Sequence, residues 1–109
     1  MPTTCTEPFV ERKLESHAVA GVCEVWLRVF RPERDPEPGG SWRCRVRIDG
    51  LEPVVDQHAY GEDGVQALIL GLEMARVCLR FADLPAGASL TWLGGADLGI
   101  PVMLPGAPA

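Results

Sequence analysis

Four arginines interleaved with aromatic rings are the residues best equipped for chemistry in this chain. Arg43, Arg45 and Arg47 alternate along residues 42–51, and Arg28 lies on an earlier segment between Trp26 and Phe30. Side chains two apart on a strand share a face, so the first three form a stripe. Guanidinium groups grip phosphate and carboxylate while flat rings stack on bases, which are the ingredients of a nucleic-acid platform. The chain carries a net charge of −5, the wrong sign for an affinity that positive charge must supply. Nucleic-acid binding is therefore not expected. The expected state is a solvated sheet face balanced by Glu11, Glu15 and Glu24. Trp26, Arg28, Arg43, Arg45 and Arg47 are kept as a candidate surface for an anionic protein or a small ligand.

Asp56, His58, Glu62 and Asp63 are metal-ligand types close in sequence, but their spacing is specific to no metal. Asp63 is better used as a helix cap, so no metal or cofactor is expected. A pocket beside His58 and Tyr60 is the rival reading, as a small-ligand site or an enzyme site. It would gain from a cysteine meeting His58 in space. The cysteines Cys5, Cys23, Cys44 and Cys78 have no C-x-x-C spacing and follow no secretory leader, so zinc is not expected and free buried thiols are. Residues 94–99, Gly-Gly-Ala-Asp-Leu-Gly, lack the spacing of a dinucleotide loop and the lysine of a phosphate loop. They read as turns with glycine at positive φ. No catalytic residue is assigned.

The elements that must position these residues follow from polarity patterns. Residues 9–15 are a weak strand of mixed polarity. Residues 21–31 are a strong one, with Cys23, Val25, Leu27 and Val29 alternating with Glu24, Trp26, Arg28 and Phe30. A proline-broken loop covers residues 31–40, and the arginine strand follows with Trp42, Cys44, Val46 and Ile48 on its apolar side. Pairing these two strands by their apolar faces puts Leu27 opposite Cys44, Trp26 opposite Arg45 and Glu24 opposite Arg47. A register slipped by two instead puts Val29 opposite Cys44. Residues 51–60 read as irregular, although Val54 and Val55 could extend a strand. Asp63 then caps a helix, with Gln66 completing a capping box. The helix runs from Gly64 to about Ala82, stopped by Pro85 and Gly87, and residues 89–93 form a last strand.

The helix is apolar over about two thirds of its circumference, more than one sheet face can cover. Val65, Leu68, Leu72, Ala75 and Leu79 form the stripe for the sheet, and Gln66, Glu73, Arg76 and Arg80 form the polar arc. Leu70, Met74, Val77 and Phe81 need another cover. The candidates are the tail, through Ile100, Val102, Met103 and Leu104, or a second copy of the chain.

Residues 61–72, Leu90-Thr91-Trp92-Leu93-Gly94-Gly95 and Gly99-Ile100-Pro101, with Trp42-x-Cys44-x-Val46, resemble a group of small bacterial proteins of unknown function. That resemblance implies a bacterial cytoplasmic protein and no activity. The expectation is one α+β domain over residues 1–109 with flexible ends at 1–7 and 105–109. Its fold is an antiparallel β-β-β-α-β sheet with one long helix on one face. Cys23, Val25, Leu27, Cys44, Val46, Ile48, Leu68, Leu72, Leu79 and Trp92 are the expected core. The functional expectation is a non-enzymatic interaction module, homodimeric or bound to a protein partner, soluble and cytoplasmic, with no membrane segment.

Overall fold

The computed structural model describes residues 7–37 and 39–104; Cys5 and the two expected flexible ends fall wholly or largely outside them. Two strands, β1 (Val10–Ala18) and β2 (Gly21–Val29), form a hairpin whose register runs from Val10 opposite Val29 to Ala18 opposite Gly21. After a short β3 (Glu33–Arg34), β4 (Trp42–Asp49) pairs antiparallel with β2 and β3 along one edge and with β5 (Val55–Gly61) along the other. The helix α1 (Gly64–Arg80) follows at once, and β6 (Ser89–Thr91) returns to pair with β1 at the far side. The result is an α+β fold, an open antiparallel sheet with one helix against it.

Two of the six strands exceed the sequence expectation. β5 occupies residues that read as irregular, because Asp56 and Gln57 break the apolar alternation of a strand whose other face is wet. β3 is only two residues long and exists because β4 offers it a free edge beyond the end of β2. The last strand is shorter than the expected 89–93, since Trp92 and Gly95 close a tight turn instead.

The strand faces are as the alternation requires, but both expected registers are wrong. Leu27 lies opposite Ile48 and Val29 opposite Val46, which puts Trp26 beside Asp49 and Arg28 beside Arg47. A period of two fixes which face a residue takes and leaves slides by two open; in the register adopted, β3 pairs with the part of β4 that β2 leaves free. Gly21–Glu24 thus project past the end of β4, and Cys23 is exposed rather than in the core.

Leu14, Val25, Leu27, Val29, Cys44, Val46 and Ile48 form a dry layer on one side of the sheet. Against it α1 presents Ala67, Gly71, Ala75 and Leu79. A Cβ on Gly71 would sit 3.0 Å from the Cys44 sulfur, so the missing side chain lets the helix settle onto β4. Leu68, Leu72 and Trp92 are partly buried at the margin of this core. Asp63 caps the helix by accepting from the Gln66 N–H at 2.8 Å. The Gln66 side chain reaches back to the Glu62 N–H, one residue earlier than in the expected box.

Candidate functional site

The arginine face is a closed ladder of ion pairs. β4 turns Arg43, Arg45 and Arg47 to the side opposite the helix, and β2 adds Arg28. Arg43 donates to Glu33 at 2.9 Å, and Arg45 binds Asp56 through two parallel bonds of 2.8 Å. Arg47 joins Asp49 and Asp56, and Arg28 joins Asp49 and Glu11. The hydrogen bonds from Arg45, with those from Arg47, pull the Asp56 carboxyl down to about 2. Four cations are therefore met by four carboxylates.

The partners are not those the sequence pointed to. Of the three expected balancing residues only Glu11 serves; Glu24 pairs with Lys13 and Glu15 with His17. The expected Trp26–Arg45 contact is replaced by Arg28 over Trp26 and by Arg45 over the buried Phe30. Both changes follow from the register. An anionic ligand would have to displace formed ion pairs with good geometry, which removes most of its gain.

The His58 neighbourhood does not gather into a pocket. Asp56 is taken by Arg45 and Arg47, Asp63 by the helix cap, and His58 has a tilted ring contact with Tyr60 at 6.3 Å. Burial, with Arg43 and Arg45 nearby, holds His58 below the usual histidine value. Cys44 lies on the other side of the sheet, and burial pushes its thiol up to about 11, far from a thiolate nucleophile. Among the described residues no group of His, Cys, Asp and Glu converges to hold a metal, and Cys23, Cys44 and Cys78 are free. Clefts among the described residues include three elsewhere. One of about 250 Å³ lies between β1, β2 and the tail, beside Arg12, Leu72 and Met103. Another lies at the hairpin end by Cys23, and a third lies between Arg80 and the tail. His58 lines none of them.

The two flanks of α1 differ sharply. On the side toward β2 and β1 the tail crosses the helix. It is anchored by Trp92, which lies under the Arg12 guanidinium at 3.8 Å, and Arg12 also donates to the Leu98 carbonyl at 2.9 Å. Gly99 (φ +75°) lies against the same ring, where a Cβ would overlap it. The tail then covers Glu73 and Arg76, expected on the solvent arc but buried as a pair joined at 2.9 Å, with the Met103 N–H donating to Glu73.

The opposite flank is only partly covered. Ala67, Gly71 and Ala75 point at the sheet, and Leu72 and Arg76 lie toward the tail. At 100° per residue, Leu70, Met74, Val77 and Phe81 then fall on the other side, over β5. Val77 is 38% exposed and Phe81 67%, while Leu70 and Met74 are half-buried. The tail, expected as one cover for this stripe, lies in the described residues against Glu73, Arg76 and Arg80, while Val77 and Phe81 stay exposed. No helix among them is long and apolar enough to cross a membrane.

The model of the family described as a domain of unknown function (DUF6968) matches residues 10–102. The chain belongs to that family, consistent with the resemblance to an uncharacterised group. No curated protein and no solved structure matches it.

Proposed function

We propose that this protein is a small non-enzymatic interaction module that associates with a second copy of itself through the flank of α1 carrying Leu70, Met74, Val77 and Phe81. The course of the tail carries this reading. The described part of the tail, residues 96–104, carries Leu98, Ile100, Val102, Met103 and Leu104 with which to cover apolar surface. It runs over the side of α1 that holds the Glu73–Arg76 pair, while Val77 and Phe81 of the apolar stripe stay exposed. A contiguous apolar strip beside ordinary polar surface is a feature of association sites. A two-fold axis would lay the same strip of each copy on the other.

The other functional classes have less support. The arginine face has its charges already paired, which weakens the nucleic-acid and anionic-ligand readings. His58 lines none of the three clefts described above and Cys44 lies across the sheet from it, which weakens the enzyme reading.

Sedimentation equilibrium of the full chain tests the proposal. The wild type is expected at twice the chain mass of 11.8 kDa. Val77→Glu and Phe81→Glu should each run as monomers with an unchanged circular dichroism spectrum, because both side chains are exposed. A wild type that stays monomeric into the millimolar range overturns the reading.

A further inference from the structure

We propose that the second copy also docks edge to edge, β5 pairing antiparallel with β5 of the partner subunit about an axis through His58, so that two sheets become one. This deepens the interaction-module reading and rests on it.

Backbone geometry gives the starting point. The Phe30 N–H donates to the Arg45 carbonyl at 3.0 Å, so the backbone groups of Arg45 face β2. Antiparallel ladders alternate, and those of Cys44 and Val46 therefore face β5. Their partners on β5 are Ala59 and Gln57. The N–H and C=O groups of Asp56, His58 and Tyr60 then point away from the sheet, and among the described residues β5 pairs with β4 alone. Unpaired edges of this kind are templates for another strand, and sheets blunt them by shortness, proline, lysine or bulges. The far edge is blunted, since β6 has three residues; β5 has seven, with no proline and no lysine.

Three features make a second copy the fitting occupant. First, the outward set is symmetric about His58. An axis there places Asp56 opposite Tyr60 of the partner subunit, and each facing pair exchanges both backbone hydrogen bonds. Second, no like charges meet. Asp56 is neutralised by Arg45 and Arg47, and the two His58 rings meet uncharged near neutral pH. Third, the exposed flank of α1 lies over this same edge. Strand and helix together make a strip about 25 Å long and about 20 Å tall. The two copies would bury about 1,000 Å² between them, the lower bound of a specific interface.

Cysteine cross-linking tests this in a background with Cys5 and Cys23 replaced by serine. Residues facing each other across a hydrogen-bonded antiparallel pair have Cα atoms about 5.5 Å apart, within disulfide reach. His58→Cys is expected to form a covalent dimer under mild oxidation. Tyr60→Cys, two positions from the axis, is not. Equal or absent cross-linking in a protein that still sediments as a dimer overturns the β5 axis and leaves the helix reading standing. Monomeric protein throughout overturns both.

Discussion

The two flanks of α1 invert the usual relation between polarity and burial. The side of α1 that the tail crosses includes Glu73 and Arg76, and both are buried beneath it. The flank toward β5 carries Leu70, Val77 and Phe81, and much of it is wet. What differs is the covering segment. The tail is held by a specific clamp, with Trp92 between Arg12 and Gly99, and a clamp of that kind decides where the chain goes. Burying an ion pair gains little, since desolvation offsets much of the attraction. The tail's course is therefore set by its anchor, and the charged pair is satisfied where it lies.

The most damaging way to break this contrast is to spoil the clamp. Gly99→Val places a branched side chain at positive φ and into the Trp92 ring. It should cost about 2–5 kcal/mol, combining left-handed strain with overpacking. Chemical denaturation followed by tryptophan fluorescence measures it, and the covered flank should then become as accessible as the bare one.

Arg76→Ala comes next. It leaves the Glu73 carboxylate under the tail with the Met103 N–H as its remaining partner, so melting should fall further than for any exposed substitution. The pH dependence has a definite sign. Hydrogen bonding to Arg76 holds the Glu73 carboxyl below its ordinary value of 4.5. Its contribution is complete above pH 4.5 and is lost as pH falls through the lowered value. The gap between wild type and Arg76→Ala should therefore narrow on acidification.

On the β5 side, Asp56→Asn removes the carboxylate shared by Arg45 and Arg47. Solvent screening limits the expected loss to about 1 kcal/mol. Asp56 contributes fully above its ordinary value of 3.8, and this is lost only as pH falls toward about 2, which acid titration of both proteins would resolve. The smallest effect is a gain. Leu93 has φ 53° at the turn that feeds the tail and is 87% exposed. Leu93→Gly should relieve left-handed strain and stabilise by about 0.5–1 kcal/mol after the entropy of glycine is counted, as read by thermal melting.

Much of the fold was legible in the chain. The faces of β2 and β4 follow from strict alternation, and the helix start follows from Asp63 and Gln66. The turn role of the glycine-rich segment holds at Gly94 and Gly99, both at positive φ. β5 was harder. Asp56, His58 and Tyr60 do alternate with Val55, Ala59 and Gly61, but Gln57 sits on the inner side and hides the period. Glu73 and Arg76 carried a signal as well, being opposite charges three apart on a helix. That spacing predicts a pair and says nothing of what lies over it.

The sequence by itself determined which side of β2 and of β4 is dry, where the helix begins, and that the helix has more apolar surface than one sheet can cover. These are local properties, written in periods of two and 3.6 residues. Tertiary structure alone decided the strand register, the ion-pair partners of each arginine and which flank of the helix the tail protects. Each of those depends on segments far apart in the chain meeting at a particular offset. Periodicity leaves that offset open, and it is closed only when the packed segments meet.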